Sequence, residues 1–139
     1  ELNGKKIPFP FTLNDLGDEY DFKWDVVDMG DGLFGADLAH NGETIALIYM
    51  YGEGLESITR DSAVMGIDIF CNYKQEFTIN GINCSSNWLD VSQKFIGIQE
   101  QKNKDDEIRG YRAENKKKIF DIDIDDNEIA IIRVKKEEK

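Results

Sequence analysis

A mixed α+β fold of two tandem units, each a short helix packed on an antiparallel sheet, is what this sequence predicts. Three observations carry that expectation. Residues Asp37 to Met50 match Asp121 to Val134 at an offset of 84, and both stretches read as strand, polar turn, strand. Leu2-Asn3-Gly4 is echoed by Ile79-Asn80-Gly81 at an offset of 77. Each Asn-Gly is followed by a short stretch with a capping residue and helical apolar spacing. The predicted units are residues 1–75 and 76–139, which together form one compact domain.

The first unit opens with an extended lead, held out of any central strand by Pro8 and Pro10. Thr12 can cap a short helical turn, with Asp15 completing a partial capping box. Leu13 and Leu16 then face inward, and Gly17 stops the turn. Strands follow near 22–27, 33–40, 43–51 and 63–71. Asn41-Gly42 is the strongest turn signal in the chain, because both central positions of a tight hairpin need positive φ.

In the second unit Ser85 or Ser86 can cap a helix in which Trp88, Val91 and Phe95 share one face, with Gly97 as its stop. The shift in offset from 77 to 84 places the extra residues in Gln99–Glu107, which has no apolar side chain and reads as a loop. Strands follow near 109–114, 117–124 and 128–135, with a turn at Asp125-Asp126.

A two-residue turn at Asn41-Gly42 sets Leu38 opposite Ile45, Ala36 opposite Leu47 and Phe34 opposite Tyr49. That makes these residues the core face. The opposite face of the last strands carries Ala46, Ile48 and Met50, with Ala130, Ile132 and Val134 in the second unit. A sheet with one solvated face should alternate cleanly, and these strands do not. Something should cover the second face: the other unit, a partner or a second copy. The predicted partner-binding surface is therefore Ile48, Met50, Ile132 and Val134, with Tyr49 and Tyr51 at its rim.

The chemistry-bearing residues form no complete constellation. His40 is the only histidine and stands beside a turn, with no nucleophile signature near it in sequence. Asp121-Ile-Asp123-Ile-Asp125-Asp126 starts like a calcium loop but has Asp126 where glycine is needed and Ile132 where glutamate is needed. Asp25, Asp28 and Asp31 with Gly30 and Gly32 are ordinary turn residues. No phosphate-binding glycine loop and no nucleophile elbow occurs. These readings point away from an enzyme and imply no catalytic residue, cofactor or metal. Trp24, Tyr49, Tyr51, Tyr73 and Trp88 remain as candidate anchors for a protein partner.

The chain of 139 residues carries 17 Lys+Arg against 28 Asp+Glu, a net charge of −11 that disfavours nucleic acid, since phosphates need a basic face. No apolar run reaches the roughly 20 residues of a membrane helix. The opening Glu1-Leu2-Asn3-Gly4, without Met, leads us to expect sequence upstream, where a lipid anchor could lie. Cys71 and Cys84 fit either one disulfide or two buried thiols.

Leu89–Gly97, Gly110-Tyr111 and Ile119–Val134 give the order helix, charged loop, Gly-Tyr strand, Phe-Asp-Ile-Asp hairpin, Ile-Ala-Ile-Ile strand. This order resembles the small repeat of beta-lactamase inhibitor protein and of bacterial outer-membrane-assembly lipoproteins. The lead Leu-Asn-Gly-Lys-Lys-Ile-Pro followed by Thr-Leu-Asn-Asp-Leu is similar to extracellular lipoproteins of Gram-positive gut bacteria. The resemblance implies a secreted or lipid-anchored, non-catalytic module, and our first expectation is an extracytoplasmic bacterial protein-interaction module. The inhibitor's binding residues have no counterparts here, so its target is not carried over. The competing expectation is an enzyme or solute-binding protein with an acidic cleft between the units.

Overall fold

The computed structural model describes residues 1–2, 4–74, 76–79, 81–87, 91, 93, 98–115, 118–125 and 128–136. The strands are β1 (Tyr20–Phe22), β2 (Val27–Gly30), β3 (Leu33–His40), β4 (Glu43–Tyr51), β5 (Val64–Phe70), β6 (Gln99–Lys102), β7 (Ile108–Asn115), β8 (Lys118–Asp125) and β9 (Glu128–Lys136). Among the described residues, the helix α1 (Leu13–Leu16) and a 3-10 turn at Leu55–Ser57 accompany them. The strands form a single antiparallel sheet in the order β1-β3-β4-β5-β9-β8-β7-β6, and β2 also pairs with β3.

This corrects the α+β expectation. Strand accounts for 54% of the chain and helix for 8%, so the fold is a mostly antiparallel sheet rather than a helix-plus-sheet pair. The physical reason lies in the length of the helical signal. Thr12 does cap α1, with Asp15 reciprocating at the Thr12 N–H. Gly17 ends the helix at φ 117°, after a single turn. One turn contributes little without tertiary packing, and here Leu13 and Leu16 supply that packing. The expected helix at Trp88–Phe95 lies largely outside the described residues. The charged stretch at Gln99–Lys102, read as loop, forms β6, an edge strand whose four side chains are all exposed.

Both leads turn alike. Leu2 and Lys5 exchange backbone hydrogen bonds, as do Ile79 and Ile82, and Gly4 and Gly81 supply the positive φ. The leads then meet each other through a Leu2–Phe77 bridge. With α1 they cover one face of the sheet, burying Leu2, Phe11, Leu13, Leu16, Phe77 and Ile82 against it. Arg60 holds this cover in place, donating to the carbonyls of Leu13, Gly17 and Tyr20.

The sheet's register decides which face is core. The Asn41-Gly42 turn forms as expected, with His40 opposite Glu43. A bulge then inserts Ile45, so that Leu38 pairs with Ala46 and Ala36 with Ile48. The second hairpin repeats the device: Asp125 pairs with Glu128, and a bulge at Ala130 leads to Ile122 opposite Ile132. One extra residue reverses the facing of everything beyond it. A continuous inner row therefore runs Ala36–Ile48–Ile67–Val134–Phe120–Ala113 across six strands.

Candidate functional site

The bulges overturn the predicted binding surface. Ile48 and Met50 are 0% exposed and Ile132 1%, all within one chain, so they are core. Val134 is half-buried on the same inner face. It lines a cleft of about 190 Å³ with Ile67, Phe9, Phe11 and Phe77. Glu1 is the sole carboxylate among the lining residues of that cleft, so it is apolar and not an acidic cleft. Tyr49 and Tyr51 alone of the six lie on the outer face. The structure thus separates the two tyrosines from the four aliphatic residues.

On the outer face two halves differ. Across the middle of the sheet runs the row Asp37–Leu47–Asp68–Arg133–Asp121–Arg112. Its two arginines are paired with carboxylates. Arg133 donates to Asp121 at 3.2 Å and to Asp123 at 2.9 Å, which holds its guanidinium above the ordinary value despite partial burial. Arg112 donates to Glu114 at 3.0 Å. Asp121 and Asp123 of β8 are therefore partners of an arginine.

Tyr49 joins the two halves. Its hydroxyl donates to Asp68 at 2.8 Å. Burial, then the bond to Asp68 and its charge, raises the phenol's pKa. Burial likewise raises the Asp68 carboxyl, against the lowering effect of Tyr49 and Arg133. The residues opposite Tyr49 on both flanks are Gly35 and Gly66. A methyl group on Gly66 would sit 3.3 Å from the Tyr49 ring. On Gly35 it would meet the Met29 sulfur at 2.7 Å, so Met29 lies over that glycine.

Beyond Tyr49 the outer face is apolar and open. Val27, opposite Gly35, is 59% exposed, Met29 53% and Tyr51 38%. Trp24, in the bend before β2, is 66% exposed, with the Lys23 ammonium 5.3 Å above its ring. Tyr73 is also exposed, and Trp88 lies outside the described residues. Sequence reasoning singled out Trp24, Tyr49 and Tyr51 but missed Val27 and Met29. Their setting among Asp25, Asp28, Gly30, Asp31 and Gly32 reads as turn, although Met29 and Val27 two positions apart were the available sign of a strand.

The other polar cluster is internal. His40 Nδ1 lies 2.8 Å from the Glu76 carboxylate, whose side chain is nearly sealed from solvent. Tyr20 donates to the same carboxylate at 3.1 Å and stacks on the His40 ring. Lys74 stands 3.9 Å from it and Glu19 approaches the other ring nitrogen. This group clasps the second lead to the β1–β3 border; none of its atoms lines the apolar cleft. Among the described residues, no group of three or more His, Cys, Asp or Glu is placed to hold a metal ion. No helix among them is long and apolar enough to cross a membrane.

Cys71, at the end of β5, is joined to Cys84 by a disulfide, with Cα atoms 5.6 Å apart. No family model matches the chain, nor does any curated protein or solved structure.

Proposed function

We propose that this chain is an extracytoplasmic, non-catalytic protein-interaction module, and that it binds through the first half of its outer sheet face. The observation that carries the reading is the exposed apolar group of Val27, Met29 and Tyr51 around Tyr49 and the glycines beside it. The inner face has already spent its apolar residues on the core. Large side chains left open together on a folded chain are the usual mark of a contact surface. Burying Val27 and Met29 would contribute about 1.5–3 kcal/mol each if they were fully covered. The disulfide supports an oxidising compartment, since such bonds persist outside the cytosol. The resemblance to secreted inhibitor and lipoprotein repeats belongs to the same proposal.

The test is site-specific photo-crosslinking in the producing cell. A photo-reactive residue at Met29 or Tyr51 should give a discrete protein adduct, whereas one at Glu114, on the charge-paired half of the same face, should not. Equal labelling at all three positions, or none at Met29 and Tyr51, would overturn the reading.

A further inference from the structure

The binding reading narrows to one kind of partner when the two borders of the sheet are compared. β1 and β2 lie on the far side of β3, and among the described residues no strand pairs with their outer edge. The opposite border, β6, is also open, but it reads Gln99-Glu100-Gln101-Lys102 and exposes no apolar side chain. Short charged edges are the common guard against unwanted strand addition. The β2 border is also short and carries Asp28, but unlike β6 it exposes large apolar side chains. It carries Trp24, Val27 and Met29, the three most exposed large apolar side chains of the described residues. The Gly30 N–H is taken by the Asp28 carboxylate, which limits the open stretch to the residues before it.

Charge selects the occupant. Between residues 18 and 32 stand Asp18, Glu19, Asp21, Asp25, Asp28 and Asp31 against Lys23 alone. Two such borders laid side by side would bring like charges together, which disfavours a second copy of this chain. A basic segment would instead meet complementary charge. We infer that the β2 edge is a strand-addition site for an extended basic segment of a partner protein, with apolar side chains at alternate positions. Main-chain hydrogen bonds to the open edge supply affinity. The alternate apolar side chains extend the cluster of Val27, Met29 and Tyr49, and the cationic ones face the carboxylates. This inference rests on the binding reading above and adds the partner's conformation and charge.

The experiment uses the full chain and three peptides of about seven residues, a typical strand length. They alternate Lys with Val, Lys with Ser, and Glu with Val. Titration at physiological salt suppresses attraction between exposed charges alone. The Lys–Val peptide should bind at least roughly tenfold more tightly than either other peptide. It should also slow hydrogen exchange at backbone amides within residues 24–30. Met29→Lys should abolish that preference with unchanged melting temperature, and Asp25→Lys should weaken it. Equal binding of the Lys–Ser or Glu–Val peptide would overturn the inference, as would binding without protection of residues 24–30. So would concentration-dependent dimerisation abolished by Met29→Lys, because a second copy would then be the occupant. If crosslinking at Met29 captures a protein while the Lys–Val peptide fails, strand addition falls and the binding surface stands. If the peptide binds and protects the edge while crosslinking yields no adduct, the edge chemistry stands and the cellular reading falls.

Discussion

Replacing Ile132 tests the facing of the sheet at its most consequential point. Ile132 is 1% exposed and stands between Ile69 of β5 and Ile122 of β8 in register. It therefore packs at the seam where the two halves of the sheet meet. Ile132→Ala removes the side chain beyond Cβ and leaves neighbours on two strands that cannot both close the gap. Such truncations cost about 2–5 kcal/mol, the upper part applying where the surroundings are rigid. For 139 residues, an unfolding entropy of about 2.1 cal/mol/K per residue makes 1 kcal/mol worth about 3–4 °C. The variant should melt roughly 7–17 °C below the parent. Ile132→Lys, which also buries a charge with no partner, should leave no cooperative transition near room temperature or above. Val134→Ala, at a half-buried position beside the apolar cleft, should cost under about 1.5 kcal/mol. Thermal unfolding followed by circular dichroism and calorimetry measures all three. An Ile132→Lys variant that melts with the parent would place Ile132 on an open face and refute the bulge-based assignment.

Gly110→Ala should destabilise by about 1–3 kcal/mol, because the new methyl would sit 2.1 Å from the Ile122 carbonyl oxygen, and backbone cannot yield cheaply. Gly66→Ala should cost less, since its nearest neighbour is the Tyr49 ring at 3.3 Å; the reverse order in melting temperature would count against the strand register. Reducing the disulfide between Cys71 and Cys84 should lower stability by about 3 kcal/mol, read as a drop in melting temperature with added reductant. Asp68 offers a pH test: its folded pKa is raised by burial, so its contribution to stability is most favourable below the unfolded value and is lost as pH rises through the folded one. The parent should therefore gain stability relative to Asp68→Asn as pH falls from 7 towards 4, and a parallel pH dependence of the two proteins would refute that linkage.

How much of this was legible in the sequence depends on what each signal encodes. Turns were legible because they depend on single residues: Asn41-Gly42, the two Asn-Gly leads, Thr12 with Asp15, and Gly17 all act locally. The second hairpin is displaced by one residue from the Asp125-Asp126 expectation, since Asp125 itself pairs with Glu128. Facing was not legible. Apolar residues at 45–48 and 129–132 fill both parities of the strand, so the pattern cannot announce a bulge at Ile45 or Ala130. β6 was missed because an exposed edge strand needs no apolar side chain. The fold class failed for a related reason, since one helical turn and a full helix start with the same cap. Tyr49 and Tyr51 were expected at the rim of the Ile48 face and lie on the opposite face instead; arginine and lysine stand at their places in the second hairpin, and that contrast runs between the two halves of the outer face.

The separation gives the strongest ground for placing a contact on one half of the sheet. A single row, Val27–Gly35–Tyr49–Gly66–Lys135–Ile119–Glu114, crosses seven strands on the outer face. It begins with an exposed aliphatic residue, passes a tyrosine flanked by two glycines, and ends in charge. Met29 lies over Gly35 and the Tyr49 ring beside Gly66, so the surface offered there is apolar side chain rather than bare backbone. Beside the charged end, Arg133 already satisfies Asp121 and Asp123, and Arg112 satisfies Glu114. A partner docking there would have to break formed ion pairs and recover only what it broke, whereas at the Val27 end it displaces water from apolar surface. Duplicated hairpins with opposite outer chemistry are thus expected to divide the work. The second half holds its own face closed by charge pairing, and the first half keeps the border that exposes apolar side chains, a division that exchanging Tyr49 for Arg would erase by supplying Asp68 with an internal cation in place of the hydroxyl.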